Sequence, residues 1–385
     1  MSQTLTPPMT LAEARAQFPL ATEQTYLDVA SRAPMSNRVT EALTSYMDVY
    51  RTQPLPKAAW LDEVERIRAR VARLAGAQPD EIAFTKSTSD SISLLSQGLD
   101  LRAGDNVIIC PEIEHANNVY PWLHLRDHGV EVRPVAADRH RFPLDLAMDQ
   151  VDARTRVLSL SSTSFVTGAR ADLAAITAAC HEREVFVLVD GVQEFGAMRM
   201  DLPALGVDGL GAATQKMLLS TYGLGVLFCR REQADRMRPP SLTRMGVDWG
   251  DSHESDLSDD YRYRDGAPRF EVGNPNFAGL FALDGALSLL EDVGPDVVEA
   301  HTLRLARRLL DGLADLPVEL LTPPHAHAGL VVFRAPQMDA VQTALTAAGI
   351  TIAVRRGAIR ASVHVFNADQ DVDHLLDVLT DTLTG

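Results

Sequence analysis

Between residues 81 and 230, short apolar runs alternate with stretches whose apolar positions recur every three or four residues. Runs of four to eight apolar residues bounded by turn formers read as buried strands, and the wider spacing reads as helix. Strands are expected at 81–85, 105–112, about 131–136, 155–163, 185–190 and 223–230, with helices opening near Ser91 and Tyr120 and over 171–184. That alternation predicts a mostly parallel sheet covered by helices. Upstream, Leu11 to Phe18 forms a short helix, Tyr26 to Ser31 crosses toward the core, and 37–53 and 58–76 form two amphipathic helices, the second stopping on Gly76.

The pattern changes after 230. Residues 241–269 are polar and too long for an idle connection, which marks an active-site or interface loop, although an acidic disordered segment has the same composition. A helical region covers 277–316 with a break at Gly294-Pro295. Strands near 318–322, 328–334 and 350–365 and helices at 337–348 and 369–383 complete a small α+β unit. The expected division is a large domain over 25–277 and a small domain over 278–385 joined by residues 1–24.

Composition narrows the function. The net charge of −16 tells against nucleic acid and anionic membranes as partners. The N-terminus has no basic and apolar leader, and no run of 18 apolar residues follows. Cys110, Cys180 and Cys229 stand in apolar patterns at no metal-ligand spacing. No metal site is expected, and buried free thiols suit a reducing, cytoplasmic setting.

Of the 36 basic residues only Lys57, Lys86 and Lys216 are lysines. Lys216 has small and apolar neighbours, an unusual setting for a side chain that is seldom buried without a task. The apolar run 185–189 ends on Asp190, so acid and amine are expected on one rim of a parallel sheet. That pairing suits pyridoxal phosphate: the lysine carries the aldehyde and the aspartate keeps the pyridine nitrogen protonated. A strand-end turn aspartate and a surface lysine would give the same spacing. Lys86 to Ser91 runs from a strand into a helix through consecutive hydroxyls, which makes either a phosphate site or plain N-capping. His115, at another strand end, either stacks on a flat cofactor or starts a helix bonded to backbone.

Taken in order, YLDVAS, FTKSTSDSIS, EIEHANNVYPW, SLSSTSFVTG, VDGVQEFG, ATQKMLLSTYGLGVLF, RFEVGNPNFAGL and IRASVHVFN resemble the class V aminotransferase group of fold-type-I pyridoxal phosphate enzymes. That group includes cysteine desulfurases, selenocysteine lyases, isopenicillin N epimerase-like proteins and kynureninase. The resemblance implies an α/β fold whose large domain carries a mostly parallel seven-stranded sheet, and a homodimer with shared active sites. It implies Lys216 as the Schiff-base lysine, Asp190 as the pyridine-nitrogen partner, Gln193 as donor to the phenolic oxygen and His115 as the stacking ring. Thr88, Ser89 and Gln215 match phosphate-holding positions, and Arg360 matches an arginine that grips the substrate carboxylate. Asn274 matches a residue that reaches the neighbouring subunit's phosphate.

Three departures bear on the reaction. Val354-Arg355-Arg356-Gly357 runs almost directly into Arg360-Ala361-Ser362, without the loop on which desulfurases carry their nucleophilic cysteine. Gln215 replaces the desulfurase histidine, and Phe165 stands where an asparagine lies near cofactor and substrate. The expected activity is chemistry at the α-carbon of an L-amino acid or its conjugate, as a C–S β-lyase of a cysteine S-conjugate without persulfide formation. An aminotransferase is the alternative, followed by an epimerase or decarboxylating deaminase of a larger conjugate. The shortened 357–360 segment is expected to leave the pocket open on that side and admit a bulky substrate.

Overall fold

The computed structural model describes residues 8–250 and 259–385. Its main sheet has seven strands: β1 (Ile82–Thr85), β2 (Asn106–Ile109), β3 (Glu131–Pro134), β4 (Thr155–Ser161), β5 (Phe186–Asp190), β6 (Gly209–Ala213) and β7 (Gly225–Cys229). Across the sheet they lie in the order β1-β7-β6-β5-β4-β2-β3. Only β7 runs against the others, pairing antiparallel with both β1 and β6, as the short connection after Lys216 predicts.

Both faces of this sheet are buried, and the alternation of side chains explains how. Ile108, Leu158, Val187, Val189 and Leu210 point into one core, while Val107, Ile109, Val157, Phe186 and Leu188 point into the other. Helices α1 (Asn37–Thr52), α2 (Lys57–Leu74), α3 (Thr88–Gly98), α4 (Leu173–His181) and α5 (Phe277–Val293) surround it. The first core is closed by Val64, Ile67 and Val71 of α2, Ile176 of α4 and Leu283 of α5, the second by Ile92 and Leu95 of α3 and by Trp122. Each fully buried aliphatic or aromatic side chain contributes roughly 1.5–3 kcal/mol over its exposed state. A charge at Leu158 or Leu188, both fully buried, would therefore break the sheet's packing.

A second sheet follows, β8 (Glu319–Leu320), β9 (Leu330–Arg334), β10 (Ala353–Arg355) and β11 (Ala358–Ser362), all antiparallel in the order β8-β9-β11-β10. Its core joins Phe333, Ile359 and Ala361 to Leu305 and Leu309 of α6 (Pro295–Leu313) and to Val372 and Leu375 of α8 (Asp369–Thr384), with α7 (Met338–Ala347) adding Val341 and Leu345. The helix break at Gly294-Pro295 falls between α5 and α6 as expected. The 350–365 region is not one strand but three short ones. The chain pairs Ile350–Thr351 with Thr25–Tyr26, then reverses between β10 and β11 where Arg356 and Gly357 both take positive φ.

Of the polar stretch 241–269, residues 251–258 lie outside the described residues. The rest is anchored: Val247–Asp248 pairs with Arg262–Tyr263, and Arg269, 5% exposed, ion-pairs Asp235 at 2.5 Å. Glu271 accepts from buried Arg68 at 2.6 Å and from Phe84 N at 2.9 Å, which fixes the approach to Gly273-Asn274-Pro275. Among the described residues no helix is long and apolar enough to cross a membrane, and no group of three or more His, Cys, Asp or Glu is placed to hold a metal ion.

Candidate active site

The carboxyl ends of β1, β2, β4, β5 and β6 open on one cavity of about 190 Å³ lined by Thr88, Ser89, His115, Phe165, Asp190, Gln193, Gln215 and Lys216. Capping of α3 falls to Ser87, whose Oγ accepts from Asp90 N at 3.3 Å while the Asp90 carboxylate returns to Lys86 N at 2.9 Å. The first intrahelical bond runs from Ser91 N to Ser87 O, so the N–H groups of Thr88 and Ser89 precede the helical ladder. Thr88 Oγ1 is buried and has no partner among the described residues. A buried hydroxyl without a partner costs free energy. Together with the helix N-terminus it makes a donor set suited to phosphate. Gly225 permits this geometry, because a Cβ there would stand 2.8 Å from Ser87 N.

Asp190 ends β5 opposite Gly211 of β6, and the chain from β6 delivers Lys216 three residues beyond Ala213. Asp190 is 2% exposed. Burial raises its carboxyl to about 6, against the lowering effects of Val192 N and the Lys216 charge. Burial lowers the Lys216 amine to about 8; Asp190 opposes that shift and Arg360 adds to it. The loop after Asp190 packs directly on the lysine loop: at Gly196, with φ +112, a Cβ would lie 2.4 Å from Met217 O. Gln193 Nε2 donates to Ala30 O at 3.3 Å, which leaves it a second N–H, and its Oε1 is buried without a partner among the described residues.

His115 does both things its position allows. Its Nδ1 accepts from Asn117 N at 3.1 Å, starting a short helical turn and leaving the ring proton on Nε2, while the ring lines the cavity. Burial lowers its pKa, and Lys216, Arg360 and Arg356 push the same way. Its ring meets Phe165 edge-on at 4.9 Å. Arg360 of β11, 3% exposed, donates through Nη2 to Ser31 Oγ at 2.5 Å and to Asp28 Oδ1 at 3.4 Å. Its Nε has no partner among the described residues, and its Cζ lies 5.7 Å from the Phe165 ring centroid.

Asn274 is not brought into this cavity. It is exposed, accepts from Arg244 and lines a separate depression with Lys86 and Asp90. The shortened segment beside Arg360 is a tight hairpin. Arg355 pairs with Ala358, so Arg356 and Gly357 form a two-residue turn, and Arg356 spans back to donate to Glu112 O at 3.0 Å.

Two residues of the neighbourhood escaped the sequence reading. Glu114, 1% exposed, accepts from Ser161 N and Oγ at 2.6 Å each; burial lifts its pKa to about 7, and Asp190, across from Ser161, adds to the shift. His364 bonds the backbone beside Lys216. Both stand inside the quoted segments EIEHANN and IRASVHVFN, but only their distant partners mark them as part of the site.

Comparison with known proteins agrees with this fold. The family profile described as Aminotransferase class-V matches residues 25–375, and the chain belongs to that family. It is 29% identical to a probable cysteine desulfurase of Methanothermobacter thermautotrophicus, over 96% of this chain and 98% of the relative. It is 30% identical to a probable cysteine desulfurase of Pseudomonas putida, over 95% of this chain and 96% of the relative. The apo structure of a cysteine desulfurase from Thermococcus onnurineus NA1 superposes with a TM-score of 0.89 at 25% identity, covering 99% of this chain and 100% of that one. The protein is a pyridoxal phosphate-dependent enzyme, and the unpartnered hydroxyl of the cavity residue Thr88 at the start of α3 fits that cofactor's phosphate.

Proposed function

We propose that the enzyme is a C–S β-lyase that cleaves a cysteine S-conjugate without persulfide formation, using Lys216 as anchor and base. The observation that carries this reading is the tight Arg356-Gly357 turn where desulfurases carry their thiol loop, combined with a cavity that no cysteine lines. Cys110, Cys180 and Cys229 are free and buried. Burial pushes the thiols of Cys110 and Cys180 up to about 12 and that of Cys229 higher still, so none offers a thiolate near neutral pH.

Pyridoxal phosphate, when bound, supplies an electron-withdrawing ring that stabilises negative charge at the substrate α-carbon. The remaining tasks fall to the chain. Thr88 and Ser89 receive the phosphate with N–H groups and hydroxyls, helped by Gln215. Asp190 keeps a ring nitrogen protonated, and its burial means that this charge pair is weakly screened. Gln193 offers its second N–H to the phenolic oxygen, and the His115 ring covers the cofactor face. Arg360 presents the unpartnered Nε and its planar fork to the α-carboxylate. The Lys216 amine, lowered to about 8, is partly neutral at physiological pH and takes the α-proton.

We also propose a cytoplasmic homodimer in which Asn274 completes the neighbour's phosphate site. Its exposure at the end of a well-anchored approach supports this.

Incubating the holoenzyme with amino acids and cysteine S-conjugates, and following thiol, ammonia, keto acid and pyridoxamine phosphate together, tests the reaction. Thiol released in step with ammonia is expected. Stoichiometric pyridoxamine phosphate without thiol would replace this reading with transamination.

A further inference from the structure

Arg356, exposed, lies beside Phe165 of the cavity lining with no assigned task. Its backbone is fixed: the Arg355↔Ala358 pair closes a two-residue hairpin whose turn residues have φ +50 and +72, the combination of a type I′ turn. A residue held this way does not wander as a loop tip would. The side chain folds back toward the segment after β2, with Nη1 on Glu112 O at 3.0 Å and Cζ 5.7 Å from the ring centroid of the cavity residue Phe165. Arg360 lies at the same distance from that ring, so one aromatic side chain of the cavity carries two guanidinium groups.

The charge balance there is unusual for this protein. The chain has a net charge of −16, and most arginines make carboxylate ion pairs, as Arg15, Arg66, Arg70 and Arg308 do. Among the described residues neither Arg355 nor Arg356 has such a pair. Glu112 does not supply one, because its carboxylate turns away to Ala137 N at 3.0 Å. One hydrogen bond to a carbonyl uses one of five guanidinium donors and cancels no charge. With the phosphate assigned to the start of α3 and the α-carboxylate to Arg360, a cation beside Phe165 is left for a third anion.

We propose that Arg356 is a specificity-determining residue that receives a second anionic group on the side chain of the substrate, so that the site selects amino acids carrying a distal carboxylate or sulfur oxyanion. The planar fork matches such groups with two parallel bonds. This rests on the reading that the cavity beside Lys216 takes an amino acid, and it holds whether the bound molecule then undergoes elimination or transamination.

Binding, not turnover, tests it. Holoenzyme is titrated with two near-isosteric pairs that carry no β-leaving group, L-glutamate against L-glutamine and L-aspartate against L-asparagine, with the change in cofactor absorbance as readout. Wild type is expected to bind each acid at least about tenfold more tightly than its amide, the lower end of what a charged hydrogen bond contributes. Arg356→Asn keeps a residue suited to the type I′ turn and is expected to bring each acid to the level of its amide. Arg356→Lys, which keeps the charge and loses the fork, is expected to retain part of the preference. Equal binding of acid and amide by wild type, or a preference that survives in Arg356→Asn, would overturn the role of Arg356 alone. A holoenzyme whose spectrum no amino acid changes would overturn the amino-acid reading of the cavity and this proposal with it.

Discussion

His364 Nε2 donates to the carbonyl oxygen of Met217 at 3.0 Å, tying the segment that follows Arg360 to the residue that follows Lys216. The tautomer is set within the ring's own surroundings, because Nδ1 accepts from Val365 N at 2.7 Å and leaves the proton on Nε2. The two side chains that define the site, Arg360 on the second sheet and Lys216 beyond the first, are therefore held by one buried bridge. Ser362 adds a second tie, its Oγ accepting from Ala30 N at 2.9 Å beside the carbonyl that holds Gln193.

Replacing His364 by Phe keeps a planar ring, slightly larger, and removes both ring nitrogens, leaving Met217 O and Val365 N without these partners. The expected cost is about 1–3 kcal/mol at neutral pH, read as a lower melting temperature. Burial holds the His364 pKa at about 4, below the ordinary value of 6.5. The unfolded chain therefore takes up this proton first as pH falls, and the stability that neutral His364 contributes is present above about 6.5 and lost toward 4. The gap between wild type and His364→Phe should shrink over that interval. A gap independent of pH would show that His364 acts by packing alone. Asp190 and Glu114, with raised values, drive the opposite trend in both proteins and cancel in the difference.

Thr88→Val separates cofactor binding from folding. The Thr88 hydroxyl has no partner among the described residues, so removing it should leave the melting temperature of the cofactor-free protein unchanged or slightly raised. Affinity for pyridoxal phosphate should fall about tenfold, the loss of one hydrogen bond to a charged group. Equilibrium titration of the cofactor measures it. A destabilised apo protein with unchanged cofactor affinity would assign the hydroxyl to the fold.

The fold was legible wherever local pattern decides it. Apolar runs such as Val185 to Val189 lie in a sheet buried on both faces, and the Gly294-Pro295 break follows from proline's missing N–H. What local pattern could not show was which neighbour takes which task. Ser87, Thr88 and Ser89 are equivalent as text, and only the Ser87 bond to Asp90 N shows which of them caps α3. His364 acquires its meaning from a carbonyl 147 residues away. The shortened 357–360 segment says nothing of Arg356, whose bond to Glu112 O joins residues 244 positions apart.

The dimer is expected to be obligate for activity. Sedimentation of the holoenzyme should give a species of twice the 42.0 kDa chain mass, and Asn274→Ala should weaken cofactor retention without touching the cavity of its own chain. A fully active monomer would remove Asn274 from the site.

Trapping the cofactor on its lysine tests the central claim most directly. The chain has only three lysines, Lys57, Lys86 and Lys216, so the attachment point can be read without ambiguity. Holoenzyme is reduced with borohydride, digested, and the peptide carrying the pyridoxyl mass is sequenced by mass spectrometry. One label per chain on Lys216, absent from Lys216→Ala, is the predicted result. A label on Lys86 or Lys57, or a wild-type protein that takes up no pyridoxal phosphate, would contradict it.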